Sequence, residues 1–160
     1  MNSVAIVLLR VLLVVIAAGV LLAQVVIVPV LGGILADRSR LDVAALVYSI
    51  AAIAVGVCVE VALVAIWALL ARVGRGAIFT ERAFRWVDTI IGSGVVATAI
   101  VVGIGAHIVL VIEPRLDAPG LDLIVIAAVV ASATFVLLMV VMRGLLRSAT
   151  ALQAELEEVV

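Results

Sequence analysis

Gln24, Glu60 and His107 stand inside runs that are otherwise apolar, and they are the side chains in this sequence best suited to chemistry within a low-dielectric medium. A carboxylate at the centre of a bilayer costs about 2.5–3.5 kcal/mol on insertion scales, so an acid retained there needs an account. If Leu70 marks one end of its run, Glu60 lies about 15 Å deep by helical rise, close to the midplane. One reading is a proton or ion path using Glu60, His107 and Gln24. The other is structural: a protonated Glu60 donates to a backbone carbonyl, burial having raised its pKa, while Gln24 and His107 bridge helices. Gln24 and His107 fall at comparable heights, which predicts a hydrogen bond between them provided the first and third spans are neighbours.

A second group of residues is basic. The stretch VGRGAIFTERAFRWVDTIIG, Val73–Gly92, follows Arg72 and carries Arg75, Arg82, Arg85 and Trp86. Gly74 and Gly76 end one helix, and Thr80 has the chemistry to cap the next, with Glu81 in its first turn. Phe79 and Phe84 have the spacing of a hydrophobic staple. Arginines at such a membrane boundary set topology and reach anionic headgroups, each contributing on the order of 1 kcal/mol near the surface. A docking role towards a cytoplasmic partner is the alternative for Arg72, Arg75, Arg82, Arg85 and Trp86.

These residues need elements to position them, and composition says which. Charged residues make up 13% of the 160 positions and mean hydropathy is +1.53, too little polar surface to cover a globule in water. Spanning helices need about 20 apolar residues each. Four runs qualify: 11–31, 43–71, 90–112 and 123–142. The predicted fold is all-α, a single-domain four-helix transmembrane bundle with short loops. The first run is longer than a signal-peptide core and has no clean cleavage site, which predicts a retained span.

All ten basic residues are arginine. Arg10, Arg72, Arg75, Arg82, Arg85, Arg143 and Arg147 fall on one side of the four spans, against Arg38, Arg40 and Arg115 on the other. The excess marks the cytoplasmic side and predicts a multi-pass plasma-membrane protein with both termini inside. Loop three, EPRLDAPGLD, carries Pro114, Pro119 and Gly120, the residues of a tight external hairpin.

The fourth span is predicted to continue as a cytoplasmic helix over 143–160. Leu145, Ala149, Leu152, Leu156 and Val159 alternate steps of four and three, the spacing of a helix-pairing seam. Glu155, Glu157 and Glu158 crowd its last turn, where the helix dipole disfavours negative charge, so they serve solubility or meet a basic partner. Arg143, Arg147 and these glutamates complete the candidate partner-binding set.

Small residues recur at four-residue spacing in later spans (Ala52 and Gly56, Gly94 and Thr98, Ala99 and Gly103, Ala127 and Ala131, Ala128 and Ser132), which lets helices approach closely. Cys58 reads as a small apolar filler. No HExxH, CxxC, P-loop or G-x-S-x-G pattern is present, so neither enzyme chemistry nor a metal or cofactor is expected. A net charge of -1 gives no support to direct nucleic-acid binding. A transport reading would call for a homo-oligomer, since four short spans enclose little space.

GAIFTERAFRWVDTII, together with AQVVIVP (Ala23–Pro29) and the tail RGLLRSATALQAELEEVV, resembles an uncharacterised bacterial membrane-protein family, domain of unknown function 2975. Its members show a Gly-x-x-Phe-Ser/Thr step before a run rich in Arg and aromatic residues that leads into the third span. The resemblance covers nearly the whole chain. It implies a small four-span protein whose gene neighbours one for a small helix-turn-helix regulator, and hence a cytoplasmic regulator as partner. It implies no catalytic or ligand residue.

Overall fold

A computed structural model describes residues 3–30, 33, 42–73, 81–112 and 120–158, and among these every element is helical. Four long helices follow in chain order: α1 (Ser3–Leu22), α2 (Asp42–Val73), α3 (Glu81–His107) and α4 (Gly120–Glu158). Each holds a stretch long and apolar enough to cross a membrane: Ile6–Val30, Leu46–Ala71, Phe84–Val111 and Asp122–Ala151. Helices satisfy their own backbone polar groups, which is why runs of this length adopt no other form in lipid. The chain is a four-helix membrane protein.

Side-chain hydroxyls within the helices follow the same rule. Thr89 donates to Arg85 O, Thr98 to Gly94 O, Ser93 to Ile90 O and Ser132 to Val129 O, each one turn back. No hydroxyl among these four is left facing lipid unpaired.

Two helices change their winding near one end. α1 passes into a π-helical turn over Ala23–Ile27, in which Val28 N–H donates to Ala23 O, five residues back. Pro29 explains the placement. It has no N–H to offer Val25 O, and its ring would collide with that carbonyl in a regular helix; the wider turn relieves both conflicts. α3 likewise ends in a π-helical segment, Ile108–Ile112, ahead of Pro114 in the sequence.

Consecutive helices run antiparallel, as three contacts show. Arg10, early in α1, lies over Trp67, late in α2. Tyr48, early in α2, meets His107 at the end of α3, and Asp88, early in α3, meets Arg143, late in α4. One end of the molecule therefore gathers Arg10, Arg85, Arg143 and Arg147. Packing is most extensive between α2 and α3, then between α3 and α4, and least between α1 and α2. Among the described residues α1 shares no extensive contact with α3 or α4.

The interior is small. Leu13, Ala65, Leu70 and Ile90 are the buried apolar side chains among the described residues, and all four lie in the half nearer the arginine-bearing end. Many other large apolar residues face outward, Val4 and Leu110 at 75% exposure. In water that surface would aggregate; in hydrocarbon it is the surface a membrane protein needs.

Where helices do approach, glycine decides it. A methyl group on Gly105 would sit 2.6 Å from Val125 Cγ1 on α4, and one on Gly94 would sit 3.1 Å from Val136 Cγ2. Gly103, expected from its spacing to be a packing position, has nothing within 4 Å of where a Cβ would stand. Gly105, two residues on, takes that role instead.

Candidate functional site

The three intramembrane polar residues do not converge. His107 Nδ1 lies 2.6 Å from Tyr48 Oη, with the rings 5.9 Å apart and inclined at 60°. A phenol donating to the Nδ1 lone pair accounts for the contact and leaves Nε2–H as the ring's one donor. The expected Gln24–His107 bond is not formed. α2 supplies the partner of His107, and α1 makes no extensive contact with α3 that would bring Gln24 across.

Gln24 belongs to the α1–α2 interface. Its side chain lies over Gly56, so close that a Cβ there would fall 2.1 Å from Gln24 Nε2 and 2.8 Å from Cδ. Gly56 is thus the small residue that admits a polar side chain between two helices. Gln24 sits in the π-helical turn, so Pro29 and Gly56 together determine where its amide goes.

Glu60 lies one turn from Gly56 along α2, on the same helix face. Two atoms of this interface are buried without a hydrogen-bond partner, Gln24 Nε2 and Glu60 Oε1. One is a donor and the other an acceptor, one helical turn apart, yet they are not bonded to each other. The carbonyl bond expected for a protonated Glu60 is not made through Oε1. The polar residues are therefore divided: Tyr48–His107 between α2 and α3, Gln24 with Glu60 on the α1 side of α2.

The basic residues do converge, in part. Arg143 closes on Asp88 through Nε–Oδ1 at 2.5 Å and Nη2–Oδ2 at 3.1 Å, joining α3 to α4. Both side chains are close to half exposed, which limits what the pair contributes to about 0–1 kcal/mol in a screened setting. Beside it lies a half-open groove of about 570 Å³ lined by Phe84, Arg85, Arg143, Arg147, Thr150 and Ala151. Arg10, which topology counting alone had singled out on α1, stacks over Trp67 at 5.8 Å to the ring centroid. That cation–π contact places both at one end of the helices.

Trp86 is half-buried on the second turn of α3. Arg72 lies in the last turn of α2 and Arg82 in the first turn of α3, while Arg75, Phe79 and Thr80 lie outside the described residues. Glu155, Glu157 and Glu158 occupy the end of α4, a single helix of 39 residues that also carries Leu145, Ala149, Leu152 and Leu156. Leu145 is 62% exposed, so the seam begins uncovered. Among the described residues no group of three or more His, Cys, Asp or Glu side chains could hold a metal.

Three residues important to this geometry were not singled out by residue type: Tyr48, Asp88 and Gly105. A signal for the first two existed. In an antiparallel helical hairpin, positions equidistant from the turn come together, since both helices rise equally per residue. In sequence, Tyr48 and His107 are equidistant from the Ala77–Ile78 step between α2 and α3, and Asp88 and Arg143 from the Arg115–Leu116 step between α3 and α4.

No curated protein and no solved structure matches the chain. The four-span helical layout and the Phe-Thr step before an arginine- and aromatic-rich helix start agree with a match over residues 9–160, and the chain belongs to the family described as protein of unknown function (DUF2975).

Proposed function

We propose that the protein is a non-catalytic membrane component that binds or regulates a cytoplasmic partner through the end bearing both described chain ends and most of the arginines. The observation that carries this reading is the continuity of α4, which runs unbroken to Glu158, past the end of its apolar membrane stretch at Ala151. An amphipathic helix held rigidly outside the membrane is a common means of pairing with another helix. The arginine excess supports a cytoplasmic location for that end, in a bacterial plasma membrane as the family resemblance implies. The same resemblance suggests a small helix-turn-helix regulator as partner, retained at the membrane and released on a signal.

The transport alternative is supported by the unpartnered Glu60 and Gln24 atoms. It is weakened by their arrangement, because His107 is bonded to Tyr48 at a different helix interface. The test is capture of the full chain from gently solubilised membranes, comparing wild type with a Leu145→Glu, Leu152→Glu variant. A DNA-binding regulator retained by wild type and lost with the variant is the expected result. No cytoplasmic protein above background, or recovery unchanged by the variant, overturns it.

A further inference from the structure

The groove between α3 and α4 has a charge balance that points to a particular ligand. Three guanidinium groups line it, from Arg85 on α3 and from Arg143 and Arg147 one turn apart on α4. Asp88 neutralises one of them, since its carboxylate grips Arg143 through two contacts. No carboxylate whose side chain is described pairs with Arg85 or Arg147. The hydroxyl of Thr150 already donates to Arg147 O at 2.8 Å, so it has no proton left for a ligand. Among the described side chains, two guanidinium groups without a carboxylate partner therefore face one groove across two helices. Planar N–H forks of this kind fit phosphate oxygens closely.

The position of the groove narrows the source of the phosphate. Phe84, one of its lining residues, is also where the apolar stretch of α3 begins. Met142, Leu145 and Leu146 on α4 are exposed alongside. The cationic groove therefore opens at the depth where headgroups meet hydrocarbon, and its neighbours are apolar. A ligand with a phosphate head and an acyl tail matches both parts; free phosphate would use only the first. We propose that this groove binds the headgroup of an anionic phospholipid, with Arg85 and Arg147 holding the phosphate and the Asp88–Arg143 pair fixing the two helices at the spacing the site requires. This goes beyond docking of a partner by the α4 extension, and it is tested without any partner present.

The test uses the purified full chain in zwitterionic micelles, titrated with phosphatidylglycerol and with phosphatidylcholine of the same acyl composition, bound lipid being counted by native mass spectrometry. Phosphatidylglycerol is expected to bind about tenfold or more tightly than phosphatidylcholine. Arg85→Gln and Arg147→Gln are each expected to lose about tenfold, as for removal of a charge-assisted hydrogen bond. Arg10→Gln, which removes one charge at the same end but outside the groove, reports the general surface effect of about fivefold or less. Equal losses for Arg10→Gln and Arg147→Gln, or equal binding of the two lipids, overturn the assignment. Displacement of the lipid by millimolar inorganic phosphate would assign the groove to a small soluble anion instead, and would overturn the lipid claim. Should a Gln variant fail to fold, Arg85→Lys and Arg147→Lys keep the charge but lose the planar fork; both are expected to bind several-fold more weakly, and unchanged binding in both overturns the proposal.

Discussion

Replacing Gly105 by alanine isolates a close approach of α3 to α4. The new methyl would stand 2.6 Å from Val125 Cγ1 and 3.9 Å from its Cβ, well inside contact distance. Val125 cannot turn aside cheaply, because a β-branched side chain in a helix has one strongly preferred χ1 rotamer. Overpacking of this kind costs about 1–3 kcal/mol. Against it runs the helix preference for alanine over glycine, which favours the variant by roughly 1 kcal/mol. Gly103→Ala separates the two effects, since Gly103 is on the same helix and nothing lies within 4 Å of its Cβ position. It should be neutral to about 1 kcal/mol more stable than wild type, and Gly105→Ala should fall about 1–3 kcal/mol below it. Reversible unfolding in mixed micelles, followed by circular dichroism, measures both. In a Val125→Ala background the obstructing methyl is gone, and the gap between the two glycine variants should close. A gap that is absent in wild type, or that survives in the Val125→Ala background, would refute the packing of α3 on α4 described here.

Further outcomes follow from the polar contacts. Tyr48→Phe should destabilise by about 0.6–1.7 kcal/mol, the range for interhelical hydrogen bonds in membranes, and His107→Ala should then cost little more; the same unfolding measurement applied as a double-mutant cycle reads the coupling. Gln24→Met, which keeps length and flexibility but removes an unpartnered buried amide, should be neutral or stabilising by up to about 1 kcal/mol, whereas a loss would mean that Nε2 has a partner. Asp88→Asn should cost less than about 1 kcal/mol, with a difference from wild type that shrinks as salt is raised, because the ion pair is close to half exposed. Tags at the two ends should both be accessible only from the cytoplasmic side in sealed vesicles; tags on opposite faces would contradict the antiparallel helix order.

Much of the fold was legible beforehand because it depends on local properties. A run such as VLLVVIAAGVLL commits its residues to a spanning helix whatever its neighbours do, since the cost of unpaired backbone in lipid is felt within the segment itself. Pro114 reads from the sequence as a turn residue, while the π-helical segments ahead of Pro29 and Pro114 are not anticipated there, although they obey the same local logic. The candidate site was legible only as a set of residue types. Gln24 and His107 matched in height, but height does not say which helix lies beside which. Their separation follows from α2 lying against both α1 and α3, a fact of packing order.

Composition and hydropathy alone determined the number of spans, their length, and which loops collect arginine, because each is a sum over nearby residues against a fixed hydrocarbon thickness. Tertiary structure alone decided that Tyr48 satisfies His107, that Gly56 makes room for Gln24, that Gly105 and not Gly103 touches the fourth helix, and that Asp88 frees Arg85 and Arg147 to face one groove by occupying Arg143. Those outcomes turn on rotation and tilt of one helix against another, where a shift of one residue moves a side chain about 100° around the axis and so exchanges a partner for open space.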